Sequence, residues 1–391
     1  MSDFTLTTSP VNTSRSGRVP VSQVLLDNQV LDVRALEMVM QRAPNQHDAV
    51  TLSLASGTLT DTEGIVNKLI SFVYGISPRT ETWHGYVVKV TEEQRDDVNI
   101  NFTLNLLGVT LPMQLGAPRF WSNKSVTSVV RDLVNANMLG SYGSSHPHQW
   151  KALAQTQDSD WQVATKLAAR IGYGLWVWGG VVACEDPLVL YNSNGIVVRL
   201  VPQSDLEPAD RYLLDFTPVQ DAERTYSGRG VKLAYLTNNG KVAWAKQPNY
   251  ESHRFSSTLP IRSQKEAEVH IAAVAKKADG WLQAATARIN GDASLLPGFN
   301  VEIVTATQTR EKRFDGKWLV VSVQHKMDNQ SFQTELGLAR PDATIPSQVM
   351  PYRSFWETSS HGKPTMFIFN EGKDDRRWAS SWADSRARSI L

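Results

Sequence analysis

Two stretches of this chain, far apart in sequence, carry the same strand–turn–strand pattern. The first runs Trp83-His84-Gly85-Tyr86-Val87-Val88-Lys89-Val90, passes a polar break and resumes as Phe102-Thr103-Leu104-Asn105-Leu106-Leu107-Gly108. The second runs Gly316-Lys317-Trp318-Leu319-Val320-Val321-Ser322-Val323, breaks, and resumes as Phe332-Gln333-Thr334-Glu335-Leu336-Gly337-Leu338. A β-branched run, a polar turn and a second strand of period 2 make a half-buried hairpin. Two copies separated by a helical middle predict a duplicated small β-module rather than one enzyme core.

A chain of 391 residues holds about two to four domains. With 40 basic and 39 acidic side chains the net charge is +1, so no global field draws it to nucleic acid or to a membrane. The single cysteine, Cys184, excludes an intrachain disulfide and fits folding in a reducing cytoplasm. It follows the apolar run 176–182 and reads as a buried strand thiol, not a nucleophile. No apolar run reaches the roughly 18 residues that span a bilayer, so no membrane anchor is expected. Residues 1–18, rich in Ser and Thr without an apolar centre, read as a flexible arm and not a signal peptide.

Period-2 alternation then predicts strands over 30–39, 48–54, 64–75 and 100–106. In the last of these, Asn101, Thr103 and Asn105 alternate with Ile100, Phe102, Leu104 and Leu106. Thr51 and Ser53 oppose Val50, Leu52 and Leu54 in the same manner. Strands at this density predict a small antiparallel barrel over 19–118. The period changes at Ser125. Val126, Val129, Val130, Leu133 and Val134 form a helical stripe that Asn123 or Ser125 can cap and Gly140 can stop. A second helix follows Asp158-Ser159-Asp160, with Trp161, Ala164, Leu167, Ala168 and Ile171 inward and Gly172 as its stop. An aromatic hairpin turns at Gly179-Gly180. Residues 119–195 are therefore expected to form a helix-helix-hairpin unit. Over 196–345 a second barrel is predicted, with an inserted helix announced by the capping box Ser263-x-x-Glu266 and a turn at Pro297-Gly298. The fold class is thus mainly β with α+β insertions: two small antiparallel barrels, an internal duplication, joined by the middle unit.

Chemistry is sparse. The chain has no phosphate loop, dinucleotide fingerprint, nucleophile elbow or paired-cysteine site, so no catalytic, cofactor or metal residue is assigned. His146-Pro147-His148 reads as a solvent loop. Asp158, Asp160, Glu185 and Asp186 could pose as a glycosidase pair, but the first two serve a helix start and Asp186-Pro187 a turn.

Several segments together resemble the baseplate or tail hub family of bacteriophages and related contractile injection machines, which includes the T4-type hub, late control protein D-like proteins and the hub portion of type VI spike proteins. Trp83-His84-Gly85-Tyr86-Val87 with Val90 resembles a strand of the family's first barrel. Asn105-Leu106-Leu107-Gly108, Phe120-Trp121-Ser122 and the helix of 126–137 resemble the exit from it. Ser159-Asp160-Trp161-Gln162 with 167–173 resembles the family's middle helix. Leu296-Pro297-Gly298, Phe314-Asp315-Gly316-Lys317-Trp318 and Val323-Gln324-His325 resemble its second barrel. The pieces span about 66–340 in the family's order.

The resemblance implies a non-enzymatic homotrimer whose two barrels per subunit make a pseudo-sixfold ring, adapting the tail tube protein to the threefold spike. It implies contacts with baseplate wedge and tape measure proteins, a channel for tape measure and DNA without specific nucleic-acid binding, and a place in the virion tail after assembly in the host cytoplasm. No spike-like barrel or β-helix follows residue 340, so the central spike protein is expected as a separate chain. Alternatives are the hub of a bacterial contractile injection system or tailocin, a tail-associated wall hydrolase, and a carbohydrate-binding β-protein with Trp176 and Trp178 as its platform. The extension 346–391 is expected either to pack as an appended helix on its own subunit or to dock partners through Trp356, Trp378, Trp382, Arg376 and Arg377, since Trp and Arg anchor interfaces.

Overall fold

Alternating apolar and polar residues dominate the chain, and most of the strands they specify join into one sheet. The computed structural model describes residues 21–31, 34–55, 64–76, 79–94, 100–193, 197–202, 210–219, 230–237, 239–246, 253–257, 261, 263–279, 283–305 and 314–341. The arm at 1–18 and the extension at 346–391 lie outside them.

The first half contains β1 (Val21–Leu26), β2 (Gln29–Val30), β3 (Arg34–Arg42), β4 (Ala49–Ala55), β5 (Leu69–Ile76), β6 (Arg79–Gln94) and β7 (Ile100–Gly108). Two sequence-predicted strands shift: that of 30–39 begins at Arg34, and that of 64–75 at Leu69, after a turn over 64–67. The pairing order is β3-β4-β7-β6-β5-β1-β2. The inward positions Val50, Leu52, Leu54, Phe102, Leu104 and Leu106 are fully buried.

After the middle unit, which spans 119–193 and holds five strands, the second half contains β13 (Val197–Val201), β14 (Arg211–Val219), β18 (Gln283–Asn290), β19 (Asn300–Ile303), β20 (Gly316–Asp328) and β21 (Phe332–Arg340). Here β19 pairs with both β20 and β13, so β13-β14-β18-β21-β20-β19 closes into a six-stranded barrel. The first half has no corresponding ladder between β1 and β3 among the described residues. Nor are the halves separate. Strand β20 pairs antiparallel with β3, setting Val323 opposite Arg42 and Asp328 opposite Glu37, so 13 strands form one sheet.

The ladders of the two halves agree rung for rung. In the first, Met40 lies opposite Val50, Val50 opposite Leu106 and Leu106 opposite Val87. In the second, Pro218 lies opposite Ala285, Ala285 opposite Leu338 and Leu338 opposite Val320. Bulges recur at matching places, after Val87 and after Val320, and after Ala35 and after Leu213. The outermost pair differs: β1 runs antiparallel to β5, whereas β13 runs parallel to β19.

The middle unit contains more strand than its periodicity indicated. It holds β8 (Arg119–Ser125), α1 (Val126–Ala136), β9 (Gly140–Tyr142), β10 (Gln149–Gln155), α2 (Asp160–Arg170), β11 (Gly174–Trp178), β12 (Val181–Glu185) and α3 (Pro187–Asn192). The Ser125 side chain caps α1 by accepting from the Ser128 amide. Gly140 does not stop it: α1 ends at Ala136 with Asn137 as its C-cap, and Met138 takes the left-handed conformation at φ 58° while Gly140 opens β9. Ser159 and Gln162 form a reciprocal capping box on α2, which satisfies two orphan amides. Gly172 at φ 74° ends it, and Gly179 at φ 60° turns the β11–β12 hairpin.

An insertion between β14 and β18 adds a three-stranded sheet, β15 (Gly230–Leu236), β16 (Val242–Lys246) and β17 (His253–Ser257), backed by α4 (Gln264–Asp279). Leu233 and Ala245 bury against Ala267 and Ile271 of that helix. Glu266 donates its amide to the Ser263 hydroxyl, as the capping box predicts.

Candidate functional site

The most extended feature is the face of the central sheet turned away from both cores. Side chains alternate across a strand, so paired outward positions line up in rows. One row runs Glu335, Gln324, Gln41 and Ala49; the next, Gln333, Lys326, Val39, Thr51 and Asn105; a third, Asp328, Glu37, Ser53 and Thr103. The rows cross the β20–β3 seam without interruption. Hydroxyls and amides predominate. The charged groups are of both signs: Glu335 faces Arg288 across one pair, Arg288 lies 3.9 Å from Asp215, and Asp328 faces Glu37. Sequence alternation had already put Thr51, Ser53, Asn101, Thr103 and Asn105 on one face. What it lacked was the β20–β3 pairing, which joins residues more than 280 positions apart.

At the seam a cavity of about 290 Å³ opens on this face, lined among others by Gln41, Arg42, Gln46, Ser322, Gln324 and Glu335. Beneath it Arg42 and Asp48 form a buried ion pair at 3.2 Å. Burial pushes the Asp48 carboxyl up to about 6 against the pull of Arg42. His325 is also buried and bonds Thr334 Oγ1 through Nδ1 at 2.9 Å; burial holds its pKa down at about 3, so the imidazole is neutral. Tyr74 donates its hydroxyl to the Ala293 carbonyl, tying the first half to a loop of the second. These groups brace the seam.

The middle unit is fastened to both halves. Asn45 donates its amide to Leu175 O at 2.8 Å and accepts from the Leu175 amide at 2.9 Å through Oδ1. His47 stacks on Trp161 with ring centroids 4.4 Å apart. On the other side Trp176, Trp178 and Leu190 pack against Leu296 and Leu319. Both tryptophans are buried, so the exposed aromatic platform considered for a carbohydrate-binding protein is corrected: these rings are joint residues.

The remaining polar candidates also sit in the interior. His146 and His148 are buried rather than in a solvent loop, a correction explained by aromatic packing. His148 meets Trp150 edge-on at 4.2 Å, and His146 meets Tyr173 at 5.8 Å. Among the described residues no group of three or more His, Cys, Asp or Glu could hold a metal ion. Asp160 does more than start a helix: its carboxylate accepts from Arg119, Gln155 and Asn137, each at 2.8 Å. Asp158 is an exposed partner of Lys166. Asp186 caps α3 by accepting from the Leu188 amide. Glu185 is fully buried, accepts from Ser144 Oγ at 2.6 Å and from the Ser144 and Asp186 amides, and is raised by burial to about 7. These carboxylates do not converge on an open cleft. The buried Cys184 thiol is pushed up by burial and by Glu185, which keeps it protonated. Trp356, Trp378, Trp382, Arg376 and Arg377 lie outside the described residues. No helix among the described residues is long and apolar enough to cross a membrane.

A 13-stranded sheet carrying an inserted α/β unit places this fold among those of phage tail proteins. The family model of the phage tail baseplate hub (GPD) matches residues 45–331, and the chain belongs to that family. Solved structures agree in fold. The tail protein from Neisseria meningitidis MC58 superposes with a TM-score of 0.59 at 12% identity, over 84% of this chain and 98% of that one. The 43 kDa tail protein of prophage MuSo2 from Shewanella oneidensis gives 0.58 at 11%, over 83% and 98%. An Escherichia coli component of the type VI secretion system, described as structurally similar to T4 bacteriophage tail proteins, gives 0.56 at 9%, over 83% and 78%. No curated protein sequence matches the chain.

Proposed function

We propose that three copies of this chain close into a ring that adapts a sixfold tail tube to a threefold spike, its polar sheet face lining the channel for tape measure and DNA. The observation that carries this reading is the rung-for-rung agreement of the two sheet halves, placed side by side in one sheet. Two like modules per subunit, repeated three times, present six similar edges to a sixfold partner; internal duplication supplies them from one chain. The polar face suits a lumen, because an apolar wall would adhere to passing protein and a basic wall would hold DNA. The ring acts in the virion tail and does no chemistry. Its partners are the tube, spike, wedge and tape measure proteins, with Trp356, Trp378, Trp382, Arg376 and Arg377 as docking anchors.

The test is the mass and symmetry of the purified protein, by light scattering and electron microscopy. A threefold ring with six similar lobes is expected. A monodisperse monomer at high concentration, with activity on peptidoglycan, would overturn it.

A further inference from the structure

The small sheet of the insertion, β16-β15-β17, is packed on one face. Leu233 and Ala245 bury against α4, and α4 is braced in turn on the middle unit. There Trp150 Nε1 donates to Glu266 Oε1 at 3.1 Å, His270 Nδ1 lies 3.4 Å from the Arg170 carbonyl oxygen, and Val269 packs on the middle core. The opposite face is apolar and open. Leu236 pairs with Val242 and Ala234 with Trp244 across the β15–β16 ladder, so all four share that face. Leu236 is 49% exposed, Val242 64% and Trp244 54%. Three large apolar side chains together on so small a sheet mark an interaction surface.

The edge beside them is equally bare. Among the described residues the only ladder of β16 is with β15. Proteins ordinarily blunt a free edge with charge or proline, or cover it. Strand β16 has no proline and no charge before its last residue, which points to a covering segment.

The chain itself continues from a place that suits one. Strand β21 ends at Arg340, which pairs with Gln283 at the root of the insertion, and Arg340 Nε donates to Gln283 Oε1. The described residues end at Pro341, and 342–391 follow. The longest apolar run in 342–391 is Met366-Phe367-Ile368-Phe369. Pro364 before it and Asn370-Glu371-Gly372 after it are turn signals, so it reads as a short strand apolar on both faces. The 25 residues between Arg340 and Met366 extend to about 85 Å. That is well beyond the roughly 24 Å of the 16-residue helix α4.

We propose that 366–369 adds to the open edge of β16 in the same subunit, with Phe367 and Phe369 beside Val242 and Trp244 on the open face. Aromatic and β-branched neighbours across a ladder stabilise each other, and main-chain bonds to the added strand satisfy the β16 edge. Met366 and Ile368 then turn toward the α4 side. The anchor precedes Arg376, Arg377, Trp378 and Trp382, so it fixes the place from which those docking residues reach a partner. It is a contact within one chain and does not depend on the ring.

The test uses the full chain. With p-benzoylphenylalanine in place of Trp244, illumination should join position 244 to peptides of 365–370, and mixing heavy- and light-isotope copies should show that both peptides come from one chain. In hydrogen exchange the amides of 242–246 should exchange at least about tenfold more slowly in the wild type than in Phe367→Asp/Phe369→Asp, with the circular dichroism of the two proteins alike. Links between two 242–246 segments would show that a second copy covers this face, and mixed-isotope links to 365–370 that a neighbour's extension does. Either result overturns the proposal, as does the absence of any link to 365–370 or equal exchange in the two proteins. If the Trp244 variant fails to fold, the exchange comparison decides.

Discussion

The Trp178 indole N–H donates to the carbonyl oxygen of Pro297 across 2.7 Å, so one side chain of the middle unit closes its joint with the second barrel. The next residue, Gly298, takes φ 91° and lies so close beneath the ring that a Cβ there would sit 3.0 Å from Trp178 Cζ2. Turn, ring and hydrogen bond form one fitting.

Trp178→Ala is expected to cost about 3–5 kcal/mol of stability, the range for emptying a buried tryptophan site. Trp178→Phe, which keeps most of the packing and loses the bond, should cost about 1–2 kcal/mol. The midpoint of denaturant unfolding measures both. An unchanged midpoint for the alanine variant would mean that this joint contributes nothing.

Asp160 and Asp158 begin the same helix but should behave differently. Asp160→Asn weakens three bonds and leaves the Arg119 guanidinium, 31% exposed, without its carboxylate; a loss of about 2–4 kcal/mol is expected. Asp158→Asn breaks only an exposed pair with Lys166 and should cost less than about 1 kcal/mol. Equal effects in thermal melts would refute the distinction.

That contrast shows where sequence reasoning reached and where it stopped. Local period and capping chemistry depend on neighbours a few residues apart, so the stripe of α1, the Ser159 cap and the alternation of Ile100–Leu106 were legible. Whether Asp160 serves a cap or a buried network depends on Arg119 and Gln155 arriving from other strands, which no local pattern records. Strands β8 and β10 were missed because Arg119–Ser125 and Gln149–Gln155 form a two-stranded sheet over the helices. Their burial follows tertiary packing more than strict alternation. The polar face was half visible: its alternation could be read, but its continuity across Gln324 and Gln41 could not.

Glu185 gives a pH prediction with a definite sign. Burial raises its carboxyl from an ordinary 4.5 to about 7 in the folded protein, so the native state holds a proton that the unfolded chain has released. Its contribution is fully present below about pH 4.5 and is lost as pH rises through about 7, a change on the order of 3 kcal/mol. Glu185→Gln cannot ionise. Between about pH 5 and pH 8 its stability should therefore rise relative to wild type. Parallel stability–pH curves for the two proteins would show that Glu185 is charged throughout.

If the polar face lines the proposed channel, its affinity for what passes over it should be weak. Binding to duplex DNA scales with the number of phosphates neutralised, and its salt dependence reports that number. On this face Lys326 and Arg288 lie beside Asp328, Glu335 and Asp215, and the rows between them carry Thr51, Ser53, Thr103 and Asn105. No row is a run of cations, so the wild-type protein should show no measurable duplex binding in a filter assay at physiological salt. The triple variant Thr51→Lys/Thr103→Lys/Asn105→Lys places three ammonium groups side by side on paired strands β4 and β7. These positions point away from the core, so each change should alter stability by no more than about 0.5 kcal/mol. The variant should gain an affinity that falls steeply as salt rises, and it should slow or block DNA passage in assembled tails. Tight, salt-sensitive binding by the wild type would show that this face holds nucleic acid rather than letting it slide, and the lumen assignment would fail with it.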